Sequence, residues 1–400
     1  MQDEHALIRW RNAIFALFLV NGIISATWAA RLPAIQEDTG ATLQVMGIAL
    51  LGGAIGAIVG LSIGPLLMHR LGAKRALGVG FAGMLTGFLA IGIAATVLGS
   101  IWAVAAGALL WGLSLGSTDV VTNIEAAANE REIGKTLMPL MHAFYSIGTV
   151  IGALAGSAAA AAHWPVLLNI VGVIAVSIAV LLWALPGVPH RPDLDADGER
   201  RPVSDRLADS RRAWRDPLVL LIGAGVLANA FAEGGANDWM AIGAVDGHGL
   251  SQANGALLFG VFVAGMTLLR LLGGPIVDRF GRVAVLRGSA LVGLVGVGIF
   301  VWTDGFWMLA LGCALWGAGV ALGFPLGMSA AADHPNGPAR VSVVSTLGYG
   351  AFLIGPPVLG FLGQHMGILS ALSVLIGLLA IAALVAPAAR EQSGPRARTT

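Results

Sequence analysis

Apolar residues are gathered into twelve long runs along this chain, and polar segments separate the runs. Each run holds roughly 20 residues or more, the length with which a helix crosses the hydrocarbon core of a bilayer. No Asp, Glu, Lys or Arg occurs within residues 76–118, 136–190 or 341–389, so each stretch has room for two crossings. No ten-residue strip alternates apolar and polar positions, which argues against a membrane β-barrel and favours helices.

The pattern predicts an all-α polytopic membrane protein with twelve transmembrane helices. We number them span 1 to span 12 in chain order. Their predicted bounds are 12–30, 44–68, 76–95, 99–127, 138–161, 164–185, 217–242, 253–277, 284–302, 306–331, 341–363 and 367–388.

Composition agrees with a membrane protein and argues against other classes. Hydrophobic residues make up 56% of the chain and charged residues 11%, which is roughly half the charge of a soluble domain. The formal net charge of +1 offers no basic surface to a nucleic acid. Because Cys313 is the single cysteine, we predict no disulfide and no metal thiolate cluster, and nothing in the sequence predicts a cofactor.

Lys and Arg are concentrated at one end of the predicted spans. Loops rich in Lys and Arg face the cytoplasm, so the N- and C-termini are predicted to be cytoplasmic. The exceptions are Arg31, at the outer end of span 1, and Arg270, within span 8.

The chain is predicted to consist of two related halves. Residues 1–185 form an N-terminal six-span half, residues 186–216 a Pro-, Asp- and Arg-rich cytoplasmic linker, and residues 217–400 a C-terminal six-span half with a short tail. Similar motifs recur at an offset of about 205 residues, and the matching residues are His69 and Asp278, Trp111 and Trp316, and Tyr145 and Tyr349. Two such halves with a site between them are an architecture of secondary transporters.

The motif "GPIVDRFGR" at 274–282 resembles the cytoplasmic loop signature of the major facilitator superfamily, and the resemblance covers all twelve spans. The segments "WAARLPAI", "NIEAAANEREIGKT", "MHAFYSIG", "FAEGGANDW", "VDGHG" and "RVSVVSTLGY" look like those of YbjJ-type transporters of bacterial inner membranes, relatives of the fucose permeases. The resemblance implies the major facilitator fold and secondary transport.

The loop signature is predicted to gate the cytoplasmic side. Gly274 would allow close helix packing, Gly281 a tight turn, and Asp278 a contact with the start of span 11 near Arg340. In the first half His69 replaces the signature's Asp, and we predict that it pairs with Glu125; two solvated groups that never meet are the alternative. The full set of predicted gating residues is His69, Arg70, Gly72, Glu125, Arg131, Gly274, Asp278, Arg279, Gly281, Arg282 and Arg340.

Spans 4 and 5 contain the first polar cluster. Because an ionised side chain at the bilayer centre costs about 2.5–3.5 kcal/mol, each such group needs a partner, a watery cavity or a proton. Asp119 is predicted to carry the coupling proton, as the resemblance to fucose permeases supports. Asn123 is predicted to hold the Asp119 side chain or the substrate. His142 and Tyr145 lie at a similar depth in span 5, and His142 titrates near neutral pH. A structural hydrogen bond between the two spans is the alternative.

Span 7 contains the second cluster, in which Asn229, Glu233 and Asn237 recur at i, i+4 and i+8. We predict that the stripe binds a polar solute and that Gly234 and Gly235 form a hinge; a stripe that merely lines water is the alternative. Fucose permeases carry a carboxylate in span 1 and this chain does not, so Glu233 is predicted to replace it.

The remaining predicted site residues complete two sets. The proton-coupling set is Asp119, Glu233 and His142, and the substrate-binding set is Asn21, Trp28, Asn123, Tyr145, Asn229, Asn237 and Tyr349. Arg31 is predicted to attract an anion or to mark the outer rim, and Arg270 to be structural.

The sequence predicts a monomeric secondary active transporter that moves a small polar, sugar-like solute by alternating access, driven by protons. No phosphate-binding GxxxxGK[ST] loop occurs, which excludes drive by ATP, whereas sodium is compatible with the sequence. The alternatives are a proton-driven drug or metabolite exporter and a sensor or lipid-handling protein on a transporter fold. An enzyme is not expected.

Overall fold

The computed structural model describes residues 2–135, 137–189, 209, 211–333 and 337–391, and every regular element in them is helical. Most of the predicted linker, 190–208 and 210, lies outside the described residues. We use "predicted outer side" for the helix ends near Thr39, Thr96 and Ala161, following the charge pattern, and "predicted inner side" for the opposite ends.

Twelve helices in the described residues are long and apolar enough to cross a membrane, which confirms the predicted spans. Their bounds are His5–Ala30, Leu43–Leu71, Ala73–Thr96, Ile101–Ile133, Met138–Ala161, Val166–Gly187, Pro217–Gly247, Gln252–Phe280, Arg282–Trp302, Phe306–Ala332, Gly337–Met366 and Ile368–Ala389. A short helix, Leu32–Thr39, follows span 1 on the predicted outer side. Span 4 runs past its predicted end because the polar segment after Glu125 stays helical until Gly134, where φ is +70°.

Glycines at matching positions end the helices of the two sequence halves in the same way. Gly72, between spans 2 and 3, has φ 75° and ψ 156°, and Gly281, between spans 8 and 9, has φ 78° and ψ 155°. Gly99 and Gly305, which precede spans 4 and 10, also have positive φ. This backbone region is open almost only to glycine, so the repeat seen in the sequence is also present in the loop conformations.

The structure differs from the prediction at span 7, which continues beyond residue 242, and at span 10, which is interrupted. Span 7 ends in a π-helical turn at Gly243–Gly247. Span 10 consists of two helices, Phe306–Val320 and Gly323–Ala332, with Pro325 near the start of the second. A proline has no main-chain N–H, so the carbonyl four residues before it, here that of Ala321, lacks its usual helical hydrogen-bond donor.

The described residues fall into two compact units that interleave along the sequence. The first contains the described residues within 1–196, 236–264 and 356–371, and the second contains those within 197–235, 265–355 and 372–400. The first unit therefore joins spans 1–6 to the predicted outer parts of spans 7, 8 and 11. The predicted division into halves 1–185 and 217–400 stays a prediction.

Small residues bring the helices of the first unit into main-chain contact. A Cβ on Gly22 in span 1 would lie 2.1 Å from the carbonyl oxygen of Tyr145 in span 5, and one on Gly56 in span 2 would lie 2.2 Å from that of Leu109 in span 4. Glycine at such positions is typical of membrane helices, which associate by close packing.

The second unit repeats this packing between spans 9 and 10. A Cβ on Gly296 would lie 2.3 Å from the amide nitrogen of Trp316, and one on Gly87 in the first unit would lie 2.5 Å from that of Trp111. The two tryptophans are therefore repeat-related packing residues. Trp316 is fully buried and its indole Nε1 donates to the carbonyl of Ala232 in span 7, at 3.2 Å.

Candidate functional site

Asp119 and Asn123 form a hydrogen-bonded pair on one face of span 4. The amide Nδ2 of Asn123 donates to the Asp119 carboxylate at 3.2 Å and to the Asp119 main-chain carbonyl at 2.9 Å. Both side chains are half-buried. Residues four apart share a helix face, and here the amide fixes the orientation of the carboxylate while leaving it partly accessible.

His142 and Tyr145 lie in span 5 beside span 1. The His142 ring is exposed, with its centroid 4.9 Å from that of Phe18. Tyr145 is half-buried against an aromatic cluster that includes Trp10 and Phe18. Both residues thus have contacts with span 1, and their predicted role with Asp119 stays a prediction.

Span 1 contributes Asn21 and Trp28 to the interior of the first unit. Asn21 is 2% exposed, and its Oδ1 has no hydrogen-bond partner among the described residues. Trp28 is buried, with its ring 5.7 Å from that of Trp111 in span 4. An aromatic pair of this kind stabilises packing, so Trp28 holds span 1 to span 4.

Asn229 lies against the interruption of span 10 in the second unit. It is 5% exposed, its Nδ2 donates to the Gly225 carbonyl at 2.9 Å, and its Oδ1 has no partner among the described residues. A Cβ on Gly323 would lie 2.2 Å from the Asn229 side chain. Asn21 in span 1 and Asn229 in span 7 thus each have a buried side-chain oxygen with no hydrogen-bond partner among the described residues. Burying an unpaired acceptor of this kind reduces the stability of the folded protein.

Glu233 in span 7 pairs with Arg270 in span 8. The distance from Arg270 Nη2 to Glu233 Oε1 is 3.0 Å, and Arg270 Nε donates to the carbonyl of Ala321 in span 10 at 3.2 Å. In a continuous helix that carbonyl would accept from the amide of residue 325, but Pro325 has none. Arg270, predicted to be structural, therefore joins three spans at the interruption of span 10.

Tyr349 and Asn237 lie in different units. Tyr349 of the second unit is 39% exposed, and its ring lies 5.9 Å from that of Phe324 at the interruption of span 10. Asn237 belongs to the first unit and is half-buried.

The helix of span 7 continues without a break through Gly234 and Gly235 to Ile242, so the predicted hinge at these glycines is not a break in this structure.

The predicted gating residues of the first half lie in contrasting surroundings. His69, Arg70 and Arg131 are exposed, whereas Glu125 is fully buried. No ion pair joins His69 to Glu125 among the described residues, and their pairing stays a prediction. Glu130, which was not predicted, accepts hydrogen bonds from the amides of Leu137 and Met138 and so caps the start of span 5.

The loop signature of the second half is held by acids that the sequence did not single out. Arg282 is 9% exposed and pairs with Asp333 at 2.7 Å, at the end of span 10. Arg340 pairs with Asp216 at 2.6 Å, and the predicted contact of Asp278 with the start of span 11 stays a prediction. Asp278 and Arg279 are exposed.

Gly274 does not have the role expected of it. A Cβ on this glycine would meet no described atom within 4 Å. The close helix packing predicted at Gly274 is therefore not observed, while Gly281 makes the predicted tight turn with φ 78°.

On the predicted outer side, residues from both sequence halves meet within the first unit. A Cβ on Gly47 in span 2 would lie 2.5 Å from the Pro356 carbonyl in span 11. The Ser157 hydroxyl in span 5 donates to the Ala253 carbonyl in span 8 at 2.9 Å. The sequence offered no long-range signal for these contacts, which join span 2 to span 11 and span 5 to span 8 near their predicted outer ends.

Arg31 fixes the predicted outer end of span 1. It is 3% exposed, and its Nη2 donates to the Trp164 carbonyl at the start of span 6 at 2.7 Å. Burial lowers the pKa of the Arg31 guanidinium, while the charge of Asp38 acts in the opposite direction. Arg31 lines a cavity of about 720 Å³ together with Asp38, His163 and Gln252.

Comparison with known proteins agrees with this architecture. The sequence model of the Major Facilitator Superfamily matches residues 13–260 and 222–400. The chain belongs to this superfamily. It is 31% identical over 387 residues to the uncharacterized transporter y4wD of Sinorhizobium fredii, covering 96% of this chain and 99% of that protein.

Two solved transporters share the fold. The nucleoside transporter NupG has a TM-score of 0.79 at 12% identity, over 95% of this chain and 99% of that one. The E. coli fucose:proton symporter FucP has a TM-score of 0.62 at 16% identity, over 96% and 98%. The predicted major facilitator fold is thereby confirmed, and the chain is a multi-pass membrane protein of a secondary transporter superfamily.

Proposed function

We propose that this member of the Major Facilitator Superfamily moves a small polar, sugar-like solute across a bacterial inner membrane and couples the movement to protons. The proton is carried by Asp119. The observation behind this assignment is the Asp119–Asn123 pair, in which an amide orients a partly accessible carboxylate within a membrane span. Intramembrane carboxylates of this kind mark proton and solute pathways.

Two further observations support the proposal. The structurally similar proteins include a nucleoside transporter and a fucose:proton symporter, whose cargoes contain a sugar. The contacts of Gly47 and Ser157 join span 2 to span 11 and span 5 to span 8 near their predicted outer ends, which we interpret as a closed outer side. Alternating access requires such a closed end, which opens when the other end closes.

The orientation of the chain in the membrane is part of the proposal. The concentration of Lys and Arg at the predicted inner side favours cytoplasmic termini. The protein acts as a monomer, since each chain contains both sets of six spans.

Solute-induced currents on a solid-supported membrane test the proposal. We expect reconstituted protein to give a current with at least one solute from a panel of sugars, sugar acids and nucleosides. Asp119→Asn should reduce that current to background, because a carboxamide cannot carry the proton, while still exchanging labelled solute across the membrane. The matched control is Asp304→Asn, at an exposed position between spans 9 and 10.

Two results would contradict the assignment. Full currents in Asp119→Asn would move the coupling proton to another group. Currents obtained with cationic drugs alone would support the exporter alternative in place of a sugar-like solute.

A further inference from the structure

The pair of Glu233 and Arg270 lies deep within the membrane-spanning part of the second unit. Counting helical rise, Glu233 is about 24 Å from the start of span 7 at Pro217, and Arg270 is about 15 Å from the end of span 8 at Phe280. Charged side chains at such depth are rare and mark functional sites. The proposed coupling residue Asp119 belongs to the other unit, so this pair needs a role of its own.

Arg270 is held in place by more than its ionic partner. Its Nε donates to the Ala321 carbonyl, which Pro325 leaves without an amide donor. Span 7 is in turn fixed to span 10 by the hydrogen bond from Trp316 Nε1 to Ala232, the residue before Glu233. The guanidinium would therefore keep its position if Glu233 lost its charge.

The guanidinium still has unused donors. Its Nε contacts Ala321 and its Nη2 contacts Glu233, while Nη1 makes no hydrogen bond with any described residue. The Arg270 side chain is 34% exposed, more than the 14% of Glu233. An arginine presents five N–H groups in a planar fork that matches a carboxylate in bidentate geometry.

We propose that Arg270 binds the carboxylate of an acidic solute and that Glu233 is its exchangeable counter-ion. The inference rests on the proposed transport function and names its substrate class as small organic acids such as sugar acids. In the empty site Glu233 neutralises Arg270. When the solute binds, Glu233 takes up one proton from solution, its ion pair with Arg270 breaks, and the solute carboxylate forms a new pair with the guanidinium.

This exchange keeps the charge of the site unchanged. One arginine cannot neutralise two carboxylates in a low-dielectric site, so solute and proton must bind together. The other charged residues on the neighbouring spans of the second unit lie at the predicted inner side, where Arg282 pairs with Asp333 and Arg340 with Asp216, and where Asp278 and Arg279 are exposed. Cys313 and Tyr349 are the remaining titratable side chains in the second unit's parts of spans 10 and 11, and His365 lies at the predicted outer end of span 11, in the first unit.

Binding to the purified full-length protein tests the inference, with four probes measured by calorimetry between pH 5.5 and 8. The acids are D-galacturonate and D-gluconate, and their neutral counterparts are D-galactose and D-glucitol, respectively. We expect at least one acid to bind at least about tenfold more tightly than its neutral counterpart, as for a charge-assisted contact. Its affinity should rise as the pH falls, because binding requires protonation of Glu233.

Two variants separate binding from structure. Glu233→Gln mimics the protonated residue, so it should bind the acid with an affinity that no longer depends on pH. Arg270→Gln should lose acid binding. Arg270→Gln leaves Glu233 without its ionic partner, which destabilises the fold, so the neutral double variant Glu233→Gln/Arg270→Gln is measured as well. Size exclusion and thermal unfolding should show that the double variant is folded, and it should not bind the acid.

Several results would overturn the inference. They are failure of both acids to bind, equal binding of galactose and galacturonate, acid binding that survives in the double variant, and pH dependence that persists in Glu233→Gln. Proton-coupled transport of a neutral sugar without acid binding would refute this inference alone. Acid binding without any solute-induced current would instead refute the proposed function.

Discussion

Single glycines set the distance between helices in the first unit. At Gly22 a methyl group would lie 2.1 Å from the Tyr145 carbonyl oxygen, and it would meet main-chain atoms rather than a movable side chain. We therefore expect Gly22→Ala to destabilise the protein by about 1–3 kcal/mol, the usual cost of overpacking. The measurement is thermal unfolding of the purified variant in detergent.

Gly172→Ala is the matched control, since a Cβ on this span 6 glycine meets no described atom within 4 Å. Alanine is a better helix former than glycine by up to about 1 kcal/mol, so this control should be as stable as the wild type or slightly more stable. Equal destabilisation of both variants would show that helix contact is not what Gly22 provides.

The polar residues show which parts of the site could be predicted. Asp119 and Asn123 could be paired from the sequence because residues four apart on a helix are neighbours. Glu233 and Arg270 were each noticed, but their contact joins residues 37 positions apart and depends on how span 7 packs on span 8. The pairs of Asp216 with Arg340 and of Asp333 with Arg282 could not be predicted for the same reason, because the partners are distant in the sequence.

At the scale of elements, the loops after spans 2 and 8 depend on glycine in the same way. Gly72 and Gly281 adopt φ and ψ values that only glycine adopts without strain. Replacing either by alanine should cost about 1–3 kcal/mol, and the two variants should lose similar thermal stability. Gly274→Ala is the control, because this helical glycine has no close neighbour among the described atoms. A large loss at one loop glycine with none at the other would contradict the structural repeat.

The existence of the helices could be predicted, whereas their interruptions could not. Hydropathy and length are local properties, and they determine that a segment crosses the membrane. The break in span 10 depends on Pro325 together with a donor from another helix, Arg270, which takes over the freed carbonyl. The π-helical turn at the end of span 7 had no local signal in the sequence.

At the scale of the whole molecule, the account requires the contacts on the predicted outer side to form and break during transport. Within the first unit Gly47 joins span 2 to span 11 there, and the contact between Ser157 and Ala253 joins span 5 to span 8. A carrier whose closed end cannot open should no longer deliver solute, because both sides of the membrane must be reached in turn.

Cross-linking this contact tests the central claim most directly. Cysteines are introduced as Ser157→Cys and Ala253→Cys in a Cys313→Ala background and joined by a short bis-methanethiosulfonate, which forms a reducible disulfide with each cysteine and releases a sulfinate from each end. Solute-driven currents are then recorded before cross-linking, after it, and after reduction, with Ser157→Cys alone as the control. Alternating access predicts that cross-linking abolishes the current in the double variant only and that reduction restores it. An undiminished current in fully cross-linked protein would contradict the account.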